Sequence, residues 1–214
     1  MIIETATPDD LARLLAFRRE AAAWLTDLGT DQWRRPYPAD KLLATIEAGV
    51  VYMVRDGEAT AATITLTPEA EVGLWTDQEL VERSMFVNKL TVARTHAGQD
   101  LGGRLLDWAG NRAYHSGATW LRLDAWTTNE PLQRYYLRHG FDYVRTVHEG
   151  GAVNGGPRVS GWLAQRRTGP AEHGFEDCTR DNARLARGDR AGSAWASPNG
   201  HGSAGGQPSP SPRC

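Results

Sequence analysis

The stretch from Met85 to Trp126 limits the possible folds more than any other part of the chain. Met85-Phe86-Val87-Asn88-Lys89-Leu90-Thr91-Val92 is rich in β-branched and apolar residues and reads as a central strand. A glycine-bearing turn follows, then a helix from about Leu101 to Ser116 with Leu105, Leu106 and Ala109 on its core side and Gly117 as its stop. Trp120-Leu121-Arg122-Leu123-Asp124-Ala125-Trp126 alternates apolar and polar side chains, which is the period of a second strand. A helix connecting two neighbouring strands brings the second back parallel to the first, in a right-handed crossover. One parallel pair is therefore expected in the sheet.

The flanking segments predict antiparallel neighbours. Ile2-Ile3-Glu4-Thr5 reads as a first strand. Thr7-Pro8-Asp9-Asp10 is a helix start, with Thr7 as cap, Pro8 in the first turn and Asp10 as the capping-box acid. Leu11, Leu14, Leu15, Arg18 and Ala22 carry that helix to about Leu28, before Gly29. A second helix covers Ala39 to Ala48. Val50 to Arg55 and Ala59 to Leu66 are strand-like and separated by Asp56-Gly57, a hairpin turn signal. Glu130 to His139 reads as a helix ended by Gly140. Phe141 to Val147 and Arg158 to Gln165 read as a final hairpin. The expected fold class is α/β (α+β), a mostly antiparallel sheet with one parallel contact and about four helices.

The hydrophobic fraction is 40% and the charged fraction 23%, which suits one globular domain. Net charge is −2, from 24 basic and 26 acidic residues, so composition points to no nucleic-acid partner. Cys178 and Cys214 both lie near the C-terminus, which leaves the core without a disulfide framework. The absence of a secretory pattern after Met1 and of an apolar run near the roughly 18 residues of a membrane span leads to a cytoplasmic expectation, with no membrane contact. Beyond Thr168 the composition turns to Gly, Pro, Ser and Arg. The expected organisation is a domain over 1–167 and a disordered tail over 168–214.

The turn between the central strand and its helix has a chemistry of its own. The first N–H groups of a helix have no internal partner, and the helix dipole adds about half a positive charge there. Gly98, Gly102 and Gly103 let an oxyanion approach the backbone, so the turn can cradle phosphate without a lysine. Neither a P-loop nor a Gly-x-Gly-x-x-Gly dinucleotide signature is present.

Two segments together carry a family resemblance. Leu90-Thr91-Val92, Gly102 and Leu105-Leu106 match a strand end, a glycine loop and an aliphatic pair. Asn129 and Tyr136-Leu137-Arg138-His139-Gly140-Phe141 match Asn, helix, Tyr-x-x-x-Gly-Phe. The chain thus resembles the GNAT superfamily of acyl-CoA-dependent N-acetyltransferases over roughly residues 2 to 166. It departs from that pattern at Ala97, where the family has Arg or Gln, and at Asp100, where the family has Gly.

The resemblance implies a sheet that splays after the central strand. It also implies pantetheine lying along the backbone of Leu90, Thr91 and Val92, and pyrophosphate on Ala97, Gly98, Gln99, Asp100, Leu101, Gly102 and Gly103. Asn129 would meet the pantetheine arm, and Tyr136 would protonate the departing thiolate. The reaction would be direct attack of an amine on acetyl-CoA. Trp33 and Tyr37 are candidate walls for a small-molecule amine, as is the stretch Gly73 to Asp77. Asp124 and Glu82 are candidate bases, and Asp124 also lines the expected acceptor side. No metal-ligand spacing and no Gly-x-Ser-x-Gly elbow occur, so neither a metal nor a covalent acyl-enzyme is expected. The resemblance also allows a homodimer. An acyl-CoA-binding regulatory domain without chemistry is the alternative.

Overall fold

The computed structural model describes residues 1–27, 29, 36–149 and 158–180. The elements in chain order are β1 (Ile2–Thr5), a 3-10 turn (Pro8–Asp10), α1 (Leu11–Asp27), α2 (Ala39–Glu47), β2 (Val51–Asp56), β3 (Ala59–Thr67), α3 (Asp77–Val81) and β4 (Ser84–Val92). A second 3-10 turn (Arg94–His96) leads to α4 (Leu101–His115), β5 (Trp120–Trp126), α5 (Glu130–Arg138), β6 (Asp142–Thr146), β7 (Ser160–Arg167) and β8 (Glu176–Cys178).

The capping chemistry read at Thr7 is present. Its N–H donates to Asp10 Oδ2 at 2.9 Å, and its hydroxyl donates to the same oxygen at 3.0 Å. Asp10 also receives Arg55 of β2 at 2.6 Å, which ties the start of the helix to the sheet. Strand pairing gives one eight-stranded sheet of order β6-β7-β5-β4-β3-β2-β1-β8. The crossover through α4 makes β4 and β5 parallel, as the sequence requires. β1 and β8 are also parallel, and the remaining pairs are antiparallel.

Alternation sorts the strand side chains between two layers. On one face Tyr52, Ile64, Met85, Val87 and Leu121 meet Leu105, Leu106 and Trp108 of α4 and Tyr136 of α5. On the other face Val51 and Met53 meet Leu14, Leu42 and Ile46 of α1 and α2. Farther along that second face, Leu74 and Trp75 pack on Phe86 and Leu163. Each such buried aliphatic contributes about 1.5–3 kcal/mol, so the sheet is held from both sides.

Two elements differ from the sequence expectation. The stretch Gly73 to Asp77 leads into α3, and Trp75 is buried against Phe86 (5.9 Å between ring centroids) under the Arg122 guanidinium (4.7 Å). It therefore forms core on the second face of the sheet. The tail expected from Thr168 also begins as ordered structure. Residues 168–180 run along α4, bonded to Arg104, Trp108 and Arg112, and form β8 beside β1. Residues 181–214 lie outside the described residues.

Candidate active site

β4 and β5 pair only from Ser84 to Val87, against Trp120 to Leu123. Both strands continue past that point, β4 to Val92 and β5 to Trp126, but apart. On its other side β4 stays paired with β3, through a bulge. Asn88 to Thr91 carries one more residue than Thr65 to Thr63 opposite, and Lys89 takes a left-handed φ of 53°. For a side chain with a Cβ that conformation costs about 1–2 kcal/mol. Lys89 Nζ donates to Tyr37 Oη at 2.8 Å and lies over the Tyr37 ring, which helps hold the bulge. The result is a five-residue strand edge, 88–92, whose β5 side has no ladder partner.

A cavity of about 1110 Å³ opens along this edge. One wall is β4, and the turn after it with the start of α4 forms the floor. α5 and the end of β5 close a second side, and α1 covers the third through Phe17, Ala21, Trp24 and Leu25. The turn is fixed by His96, whose Nε2 lies 3.2 Å from Asp56 on the β2–β3 hairpin and whose Nδ1 lies 2.9 Å from Thr95 Oγ1. His96 itself is buried.

The glycines of α4 are places of close approach. A Cβ on Gly102 would collide with the Tyr135 hydroxyl of α5, and one on Gly103 would collide with His139 and the Asp100 carboxylate. Gly98 adopts φ +81°, a backbone conformation that glycine reaches at little cost. Asp100 stands at the start of α4 with φ 50° and ψ 29°. Its carboxylate folds over the first helical turn beside Gly103, 3.6 Å from His139 Nε2. Gly98, Asp100, Leu101 and Gly102 line the cavity, whereas Gln99 and Gly103 do not. The floor therefore offers a helix N-terminus and close backbone, with the one carboxylate drawn toward α5. These residues fit a phosphate-bearing donor lying along β4.

α5 begins at Asn129, whose Oδ1 accepts the Leu132 N–H at 3.1 Å. About two turns on, Tyr136 is buried between Tyr135 and Phe141, each with ring centroids 5.8 Å away. Burial pushes its hydroxyl well above the ordinary tyrosine range, so it stays protonated. Asn129, Tyr136 and Asp124 all line the cavity. Asp124 is half-buried and opens into the cavity, and its Oδ2 accepts a short hydrogen bond of 2.5 Å from Ser160 Oγ of β7. Its depth raises its carboxyl, against the Ser160 hydrogen bond, which lowers it. An enclosed carboxylate, a protonated tyrosine and an open strand edge can serve acyl transfer, because proton acceptor and proton donor flank one gap.

Leu90, Thr91, Val92 and Ala97 also line the cavity. Tyr37 does not; it packs by α1 and α2 with Arg18 and Lys89 over its ring. Trp33 lies outside the described residues. Glu82 sits at the other end of β5, bonded to Trp120 Nε1 at 2.7 Å. The residues that sequence reasoning misses are Phe17, Ala21, Trp24 and Leu25 on α1, and Ser160. The first four do leave a signal, a second helical stripe beside Leu11, Leu14 and Leu15. Ser160 leaves none, since its place follows from β7 pairing across Trp126.

A family model described as the acetyltransferase (GNAT) family matches residues 18–141, more than half of the chain. The chain is 30% identical over 145 residues to the "Uncharacterized N-acetyltransferase YesJ" of Bacillus subtilis (strain 168), an alignment covering 65% of this chain and 80% of that protein. Among solved structures, a GNAT-family acetyltransferase from Listeria monocytogenes superposes with a TM-score of 0.63 at 22% identity, covering 78% of this chain and 94% of that one. The yncA protein of Salmonella typhimurium, solved with its cofactor acetyl-CoA, superposes with a TM-score of 0.56 at 20% identity, covering 80% and 96%. The chain belongs to the acetyltransferase (GNAT) family. It is an acetyl-CoA-dependent acyltransferase. No helix among the described residues is long and apolar enough to cross a membrane.

Proposed function

We propose that the chain moves an acetyl group from acetyl-CoA to a primary amine of a small molecule, by direct attack while both are bound. The observation that carries this reading is the parting of β4 from β5 after Val87, with Tyr136 and Asp124 lining the opening. In this reading the pantetheine arm pairs with the free edge of β4 at Leu90, Thr91 and Val92, in the manner of an added strand. The pyrophosphate rests on the turn, mainly on Gly98, Leu101 and Gly102, with Ala97, Gln99, Asp100 and Gly103 shaping it. Asn129 caps α5 and faces the arm. Tyr136 donates its hydroxyl proton to the sulfur as the carbon–sulfur bond breaks.

The acceptor enters from the α1 side. Its surroundings there are apolar and aromatic, with Phe17, Ala21, Trp24 and Leu25 on α1 and Trp126 on β5. That lining suits a compact amine with an apolar body. Isothermal titration with acetyl-CoA, followed by a panel of small amines, tests the proposal. Saturable binding and acetylation of at least one amine are expected. Binding without transfer to any small amine, together with transfer to a peptide N-terminus, would refute the small-molecule reading.

A further inference from the structure

The reaction needs a place for the proton that the amine sheds, and no carboxylate lies on β4. Among the described residues, three carboxylates line the cavity: Glu20, Asp100 and Asp124. Glu20 is exposed on α1, and Asp100 is drawn to His139 at the floor. Asp124 lies just past the last β4–β5 pair, on the strand that forms the other side of the gap. It shares its strand face with Arg122, the face covered by α1 and the Trp75 segment, so it approaches the gap from the acceptor side while Tyr136 approaches from the α5 side. Its register is set by antiparallel pairing with β7, which brings Ser160 to it.

We infer that the Asp124 carboxylate, steadied by Ser160, is the general base that takes the proton from the acceptor amine. The assignment rests on the acetyl-transfer reading given above. An alkyl amine arrives as an ammonium ion and gives one proton to Asp124. The neutral nitrogen then bonds to the thioester carbonyl carbon. The carbon–sulfur bond breaks, sulfur keeps the electron pair and takes the Tyr136 hydroxyl proton. The acylated nitrogen loses its second proton, which replaces the one Tyr136 gave, and Asp124 releases its own to solvent. Ser160 is a positioning residue: its hydroxyl donates to Oδ2 and fixes how the carboxylate stands in the gap.

The charges around Asp124 fit this task. Enclosure raises its carboxyl, while the Ser160 hydrogen bond opposes; Glu71 raises it further, and Arg158 and the residue's own backbone N–H oppose. From α5 it faces Tyr136, and Glu20 of α1 and Lys89 and Arg94 on the β4 side line the same cavity. A base whose carboxyl is raised accepts an ammonium proton more readily than an ordinary aspartate.

The test is steady-state acetyl transfer by full-length wild type, Asp124→Asn and Ser160→Ala, across pH and with two acceptors. One acceptor is an alkyl amine, and the other is a hydrazide or aromatic amine that is already neutral at assay pH. Asp124→Asn keeps the shape and the Ser160 contact. It should lose roughly 10²- to 10⁴-fold in kcat/KM for the alkyl amine, lose the acidic limb of the profile and lose far less with the neutral acceptor. Its acetyl-CoA dissociation constant by calorimetry should stay near wild type. Ser160→Ala should move the acidic limb to higher pH, because the lost hydrogen bond stabilised the carboxylate. Asp124→Asn within about threefold of wild type, or equally impaired with both acceptors and with its acidic limb intact, overturns the assignment alone. A wild-type chain that binds acetyl-CoA but acetylates no amine overturns it together with the amine reading.

Discussion

At position 100 the chain places a carboxylate where a phosphate-binding turn gains most from having none. Asp100 also holds a left-handed backbone, φ 50°, which a glycine adopts without strain. The structure limits the damage by turning the carboxylate onto Gly103 and His139. Asp100→Gly removes both the charge and the strain. Acetyl-CoA affinity should then tighten by about three- to tenfold, roughly 1 kcal/mol, measured by titration calorimetry; weaker binding would mean that the carboxylate assists the site. Residues of this kind differ in how far sequence reveals them. Tyr136, Asn129 and the Gly140-Phe141 stop are legible because their spacing is fixed by one short helix. Asp124 is legible as a polar residue in an alternating strand, but its depth and its Ser160 partner follow from packing among β5, β7 and α5. Phe17, Ala21 and Trp24 look like ordinary core residues until the helix that carries them is seen to cross the gap.

Among elements, α3 shows how a short segment is held in place from outside itself. Its capping box is readable in Thr76-Asp77-Gln78-Glu79: Thr76 N–H donates to Glu79 Oε2 at 2.8 Å, and Glu79 N–H donates to Thr76 Oγ1 at 3.3 Å. Five residues cannot sustain a helix alone. The rest comes from β5 and β6. Arg122 donates to the Glu79 carbonyl at 2.7 Å, and Arg145 grips the Glu79 carboxylate with two bonds, of 2.6 and 2.8 Å. The Arg145 guanidinium, joined by the Thr76 bonds, holds the Glu79 carboxyl down at about 2, from 4.5. A carboxyl depressed on folding adds stability that is present above pH 4.5 and is lost as pH falls toward 2. Glu79→Gln should therefore lower stability at neutral pH by about 1–3 kcal/mol. The gap between the two melting temperatures should hold above pH 4.5 and narrow as pH drops below it toward 3. A constant gap across that range would show that packing, not charge, fixes α3. The sequence contains the cap but not these arginines, which come from strands 43 and 66 residues away.

For the molecule as a whole, the sheet ends on a strand that composition conceals. Between Thr168 and Arg180, Phe175 is the one large apolar residue, so burial gives a sequence reader little to detect. The segment is held by polar bonds from α4. Arg104 donates to the carbonyls of His173 (2.9 Å) and Gly174 (2.7 Å), Trp108 Nε1 donates to Asp177 (2.7 Å), and Arg112 donates to Thr179 (2.7 Å). Trp108 is fully buried, and losing its partner would strand an indole N–H at about 1–3 kcal/mol. A chain ending at residue 167 should consequently melt several degrees below one ending at 180. Equal melting temperatures by calorimetry would mean that the strap contributes nothing. The antiparallel hairpins and the crossover, by contrast, follow from turn signals and periodicity, because those contacts are local in the chain.

The split sheet matters only if chemistry occurs between Tyr136 and the free edge of β4, and Tyr136→Phe tests this most directly. The measurement pairs kcat for acetyl transfer with the acetyl-CoA dissociation constant, in wild type and variant. A fall in kcat of about 10²-fold or more is expected, with an affinity unchanged within about threefold. Unchanged kcat, or matched losses in kcat and affinity, would make Tyr136 a packing residue and contradict the account.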